Sequence, residues 1–285
     1  MEMRILLFGI ALPSFVGAAF GIWFIRRKQA GGLDCFVGIA LASALFLSAI
    51  SEESLIHFAV LNRWLWFPLS ILLCASIVAL GAFFTNSLGA RTLVVLTSTI
   101  SAAVLLNIPS WEILINRLFL GVGAATSAIL LAQVVKRRKN ISTYLALSLS
   151  LIGLSVLTML SGFAKLAIPI GAVSVCLGII SVIHVAIQSL SLHRGLDLSG
   201  AVVIASIATL GAATGFGYDT TNLPISSWVI AAIAPLGLWM GELPIIRSRT
   251  ILSAWARICG CAILAATAIL IAALLLSSNS HSLSE

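Results

Sequence analysis

Charge is what this sequence has least of. Only 9% of its 285 residues are Asp, Glu, Lys or Arg, against 60% hydrophobic, whereas soluble domains run at about a quarter charged. So few charges cannot clothe a water-facing globule of this length, so lipid is the solvent expected for most of the surface. Carboxylates are scarcer still, and none falls in the middle of an apolar run. Carriers coupled to protons or sodium commonly place one there, so that mechanism is disfavoured. The five cysteines, Cys35, Cys74, Cys176, Cys259 and Cys261, are odd in number and have no CxxC spacing. They support neither a disulfide framework nor a zinc site and read as small apolar packing residues. No P-loop, GxSxG elbow, HExxH or dinucleotide fingerprint is present, so no cofactor is implied.

What is there is a succession of apolar runs, each near the ~20 residues that one membrane crossing requires. Ten spans are expected: Ile5 to Ile25, Leu33 to Ile50, Trp64 to Phe84, Thr92 to Ile108, Leu114 to Val135, Ile141 to Phe163, Leu166 to Leu190, Leu198 to Tyr218, Pro224 to Met240 and Leu252 to Leu276. They are apolar all round rather than striped, and the alternation of β-barrel strands is absent. The expectation is an all-α polytopic bundle forming one integral membrane domain over residues 1–285. Val16-Gly17-Ala18-Ala19 has the look of a signal-peptide cleavage region. The apolar run nevertheless continues to Ile25 and meets Arg26-Arg27-Lys28, which is the reading of an uncleaved first helix.

Assigning alternate loops to opposite sides divides the 16 Lys and Arg unevenly. Arg26, Arg27, Lys28, Arg91, Lys136, Arg137, Arg138, Lys139, Arg194, Arg247, Arg249 and Arg257 fall on one side. Arg4, Arg63, Arg117 and Lys165 fall on the other. The positive-inside rule places the first group in the cytoplasm and both chain ends outside. The net charge of +7 is therefore an orientation signal, and nucleic acid is excluded as a partner because no basic face of a polar domain exists. Trp64, Trp66, Trp111, Tyr218 and Trp228 fall at expected outer ends, and Trp23, Tyr144, Trp239 and Trp255 at inner ends, as interfacial aromatics do. The cluster Lys136 to Lys139 separates five spans from five, the arithmetic of an inverted repeat, without residue-level similarity between the halves.

The clearest intramembrane polar residue is His184 in the seventh span. Gly171, Ser174, Gly178, Ser181, His184, Gln188 and Ser191 recur at spacings of three and four and fall within an arc of roughly 160°. This face is expected to point into the bundle. Either it lines a cavity, with His184, Gln188 and Ser181 as ligand contacts, or it is an interhelical seam in which glycines admit a neighbour. Pro13 and Pro235 interrupt the first and ninth spans, and broken helices often line solute sites. Gly17/Gly21, Gly211/Gly215 and Gly237/Gly241 are small-xxx-small pairs that favour close helix contact. Glu53 and His57 share a helical face in an outer segment, too few groups for a metal site. Glu112 and Arg117 either pair or anchor the outer end of the fifth span. Asn140-Ile141-Ser142 matches a glycosylation sequon but falls on the cytoplasmic side.

Ten short-looped spans in 285 residues resemble the general plan of small drug/metabolite-type permeases in size and span count. Those keep both termini inside, opposite to the charge pattern here, so no site residue is carried over. The expected role is a small-solute carrier in the cytoplasmic membrane, whose partners are the lipid bilayer and a small-molecule ligand. The alternative is a non-catalytic membrane subunit, sensor or partner protein docked to another membrane protein. A membrane-embedded enzyme ranks last, because no paired acid and base is evident.

Overall fold

A chain surrounded by lipid must satisfy its backbone polar groups internally, and a helix does so within one segment. The computed structural model describes residues 5–27, 37–52, 63–84, 87–106, 108, 113–137, 141–186 and 198–282. Among them the regular elements are helical and there is no strand. A π-helical stretch, Ile5–Ala11, leads into α1 (Leu12–Arg27), followed by α2 (Val37–Glu52). A 3-10 turn at Arg63–Leu65 opens α3 (Trp66–Phe84), and α4 (Leu88–Leu105) and α5 (Leu114–Arg137) complete the first half. The second half holds α6 (Ile141–Leu160), α7 (Ala164–Ala186), α8 (Leu198–Gly217) and α9 (Ile225–Ile233). The last of these continues as a 3-10 segment, Ala234–Glu242. After the turn Pro244–Arg247 comes α10 (Thr250–Ser282).

Eight of these helical stretches are long and apolar enough to cross a membrane, and Gly9–Ala19 and Val37–Ser51 are shorter apolar helices. The polytopic helical bundle demanded by composition is therefore present, with helix ends within a few residues of the apolar runs.

The bundle is organised around α8. Of its most apolar 18-residue window, 89% is buried, against 28% for the corresponding windows of α4 and α10. It packs on α2, α3, α5, α6 and α9. The sequence explains this position, since Gly, Ala, Ser and Thr dominate Leu198–Gly217 and let neighbouring backbones approach closely. At Gly38 of α2 the approach is such that an added Cβ would lie 2.5 Å from the Ser199 carbonyl oxygen, and the Gly38 N–H donates to Ser199 Oγ at 3.0 Å. α6 and α7 form an antiparallel hairpin, with α10 along the other side of α6 and α1 and α2 against α7. α6 packs along α10, whereas α1 and α5, five positions earlier, are not a packed pair among the described residues. Helix packing in the two halves is thus not interchanged by a five-helix shift.

The hairpin turn shows how local chemistry stops a helix. Gly162 adopts φ +80°, a left-handed conformation that glycine reaches without steric cost. The Phe163 N–H then donates to Thr158 O at 3.1 Å and Gly162 N–H to Met159 O at 3.1 Å, closing α6 with a Schellman motif.

Candidate functional site

The largest fully buried side chain among the described residues is charged. Arg257 has 0% of its surface exposed. It lies seven residues into α10, about 10 Å along the axis at 1.5 Å per residue. Its Nη1 donates to Ser142 Oγ at the start of α6 at 3.1 Å, and its Nη2 makes a short hydrogen bond to Ser253 Oγ one turn earlier on α10. The stem lies against Gly241: a Cβ there would sit 2.5 Å from Arg257 Cγ and 2.7 Å from Nε. Only glycine leaves room for the arginine at that crossing. The next residue, Glu242, ends the 3-10 segment with its side chain 3% exposed, and its Oε2 lies 3.9 Å from Nε of Arg247, which is 58% exposed.

This cluster sits where the ends of the 3-10 segment, α10 and α6 converge, beside the end of α5 that carries Lys136 and Arg137. The charge pattern assigns that end to the cytoplasm. Ionisable groups buried at membrane depth are costly and mark functional sites by default. In the sequence Arg247 and Arg257 count among the loop charges of one side, and Glu242 is not singled out. The available signal was that Arg257 falls five residues inside the expected tenth span.

The segment carrying Glu242 is itself unusual. A 3-10 run rarely exceeds three or four residues, and a longer one often marks a hinge. Here it lasts nine residues, with Pro235 buried at its start. Proline cannot donate to the carbonyl four residues back, and the Ala231 oxygen instead accepts from the Ala234 N–H. Gly237 abuts Gly260 of α10 so closely that a Cβ on it would lie 2.6 Å from the Cys261 nitrogen. The Gly237/Gly241 pair is therefore the backbone contact between this segment and α10.

Pro13 is also buried, in the first turn of α1 directly after the π-helical stretch. The Gly9 carbonyl, four residues before the proline, accepts a short hydrogen bond from Ser48 Oγ of α2, while Ser14 Oγ reaches Ala172 O of α7 at 2.8 Å. The carbonyl freed at Pro13 is thus satisfied by a neighbouring helix and the one freed at Pro235 within its own segment. A third proline, Pro169 inside α7, was missed because it lies close to the start of the apolar run.

The polar face of the seventh span points into protein along its described part. Ser174 is fully buried against α6, where Ser148 Oγ donates to Ser174 O at 2.9 Å and Ser174 Oγ donates to Ser148 O at 2.9 Å. One heptad along α6, Ser155 Oγ donates to Ala167 O at 2.7 Å, and a Cβ on Gly171 would meet Ser155 Oγ at 3.2 Å. Ser181 is buried and donates back to Leu177 O at 2.8 Å. His184 lies within α7, and its side chain, like Gln188 and Ser191, lies outside the described residues. The face from Gly171 to Ser181 is a seam between α6 and α7.

The opposite end of the bundle is held by a clamp. Phe163 stacks on Tyr218 at 4.9 Å and meets Trp64 edge-on at 6.2 Å. Thr220 donates to Ser161 O through both N–H, at 3.2 Å, and Oγ1, at 3.0 Å. Asp219 holds its own loop by accepting from Thr221 N–H at 2.8 Å and Leu223 N–H at 2.7 Å. Residues expected outside on charge grounds, from the ends of α2, α3, α6, α7, α8 and α9, thus meet at one end. Burial pushes the Tyr218 phenol above its ordinary value, with Arg63 partly opposing the shift. Trp64, Tyr144 and Trp228 lie at helix ends as expected, but are buried in protein, whereas Trp66 and Trp255 are exposed.

Cys74, Cys176, Cys259 and Cys261 are free thiols, and Cys35 lies outside the described residues. So do Glu53, His57, Glu112 and Asn140, while Arg117 Nη1 reaches Val104 O at 3.3 Å. Among the described residues no group of three His, Cys, Asp or Glu side chains could hold a metal. Comparison with family models, with curated proteins and with solved structures returns no match, so the function must be argued from the helices and the buried charges themselves.

Proposed function

We propose that the chain is a small-solute carrier of the cytoplasmic membrane. One observation carries this reading: α9 abandons α-helical geometry at Pro235 and continues as a nine-residue 3-10 run that brings Gly241 against the buried Arg257 and ends at the buried Glu242. Interrupted helices that end at buried polar groups are how carriers build solute sites and hinges inside a bilayer. Converting such a run from 2.0 Å to 1.5 Å rise per residue would shorten it by about 4–5 Å, a displacement of the size that gating requires. The interrupted α1, packed on α2 and α7, supplies a second non-α segment. Reconstitution into proteoliposomes with a labelled mixture of small solutes tests the reading. Saturable accumulation of at least one solute is expected, and flux no faster than in protein-free vesicles from monodisperse protein would count against it.

The competing reading is a non-catalytic membrane subunit. It draws support from the α6–α7 seam, which spends the described polar residues of the seventh span on packing. Purification from native membranes separates the two, since a subunit co-purifies with a stoichiometric partner and a carrier does not require one.

A further inference from the structure

We propose that the nine-residue segment Ala234–Glu242 is a two-state rod that passes between 3-10 and α geometry and so draws the Pro244–Arg247 turn along α10 toward α9. The inference rests on the carrier reading only for the use made of that movement.

The ends of the segment isolate it. Pro235 stands in its first turn, and Pro244 follows directly after its cap residue, Leu243. Neither proline has an N–H to donate, so the regular backbone bond that would tie the chain across each position is missing. Leu243 is extended, at φ −57° and ψ 137°, as the residue before a proline prefers. Proline in a first turn also suits an α-helix, whose leading N–H groups have no partner within the helix. The nine residues can therefore change pitch as one unit.

The burial pattern suits either pitch. Ala234, Pro235, Gly237, Leu238, Gly241 and Glu242 are buried, whereas Leu236, Trp239 and Met240 are not. At about 100° per residue the buried residues fall within an arc of roughly 160°, and the others within the remaining arc. Adopting α geometry would thus turn no buried residue to lipid. In 3-10 geometry, side chains three apart eclipse one another. Glycine relieves that crowding in the rows Ala234-Gly237-Met240 and Pro235-Leu238-Gly241. Two states that bury the same residues lie close enough in free energy for a ligand to shift one toward the other.

The seam against α10 is built to slide. Gly237 meets Gly260 and the Cys261 nitrogen, backbone to backbone, and Gly241 meets the Ser253 carbonyl and the Arg257 stem. No side chains interlock between Gly237 and Gly260. The glycines of the segment are four residues apart, about 8 Å in 3-10 and about 6 Å in α geometry. Conversion therefore carries Gly241 about 2 Å along α10 relative to Gly237, and shortens the whole segment by about 4–5 Å. The movement is delivered at the end of the bundle that holds Glu242, Arg247 and Arg257.

Spin labels at Val229 on α9 and Ile245 on the turn, 53% and 87% exposed, bracket the segment in a full-length, cysteine-free variant. Double electron–electron resonance in phosphatidylcholine nanodiscs reads their separation. Ile251 and Leu270, both exposed on α10, form the control pair. Two Val229–Ile245 distances about 4–5 Å apart are expected, against one for the control pair. Pro235→Ala restores an N–H for the Ala231 carbonyl and should move the population toward the shorter distance. A single Val229–Ile245 distance with Pro235 in place would overturn the proposal, and that reading stands whether or not Pro235→Ala folds. Two distances whose proportions a monodisperse Pro235→Ala leaves unchanged would overturn it as well. Two distances without flux in proteoliposomes would keep the rod and remove the carrier reading. Flux with a single distance would remove the rod and keep that reading.

Discussion

Ser148 and Ser174 are bound to each other twice, each hydroxyl donating to the other's backbone carbonyl at 2.9 Å with the two oxygens 3.1 Å apart. Neither hydroxyl takes its usual place on its own preceding turn, so the pair joins α6 to α7 directly. Interhelical hydrogen bonds in membranes couple weakly, about 0.6 kcal/mol on average and up to about 1.7 kcal/mol. A double-mutant cycle on Ser148→Ala and Ser174→Ala should return a coupling in that range, read from unfolding in mixed micelles. Zero coupling would show that the bonds are exchanged for others when either partner is lost.

The glycines at the 3-10 segment should be far less tolerant than glycines of the same type elsewhere. Gly237→Ala drives a methyl into the backbone of Gly260 and Cys261, and Gly241→Ala drives one into Arg257. Each should lower stability by about 1–3 kcal/mol, the cost of overpacking a filled contact. Gly123→Ala on α5, with nothing within 4 Å of the added Cβ, should leave the melting midpoint unchanged or slightly raised. Equal effects at Gly123 and Gly237 would contradict the close approach of the 3-10 segment to α10.

Alkaline pH should loosen the clamp formed by Phe163, Tyr218 and Trp64. The Tyr218 phenol is raised above 10.0 by burial in the folded protein. A group with a raised folded value contributes stability that is complete below its unfolded pKa and is lost as pH rises through the folded one. The midpoint of unfolding should therefore fall above about pH 10, and Tyr218→Phe should flatten that limb. Ultraviolet titration of tyrosinate checks the assignment, because the only other tyrosine is Tyr144.

Orientation is open to direct labelling. None of the four described cysteines is paired, so a variant with all five replaced by Ala or Ser should insert and stay monodisperse. In that background a cysteine at Thr220 should react with an impermeant thiol reagent in intact cells, and one at Arg137 only after permeabilisation. The reverse pattern would invert the topology.

The helices were legible because each apolar run reaches the length of a crossing, and the inward face of α7 because Gly171, Ser174, Gly178 and Ser181 keep a helical spacing. The charge cluster was not legible for a physical reason. Near a helix end, an arginine can reach water or turn inward, and hydropathy does not distinguish the two. Arg257 turns inward because Gly241 on another segment leaves it room and Ser142, 115 residues away, accepts its hydrogen bond. The 3-10 geometry after Pro235 was likewise hidden, since proline marks an interruption without specifying the helix type on its far side. Pro13 gives a π-to-α junction and Pro169 leaves α7 continuous.

The enclosure of α8 bears on how the protein is made. Its neighbours α2, α3, α5 and α6 are already made when it leaves the ribosome, but α9 is synthesised after it, so the face that α9 covers is open at first. Until then Gly215, against which Trp228 of α9 packs in the finished bundle, faces lipid or the insertion machinery. A chain halted after Gly217 should therefore be a preferred substrate for membrane quality-control proteases, and release should come only when the next helix has closed over it.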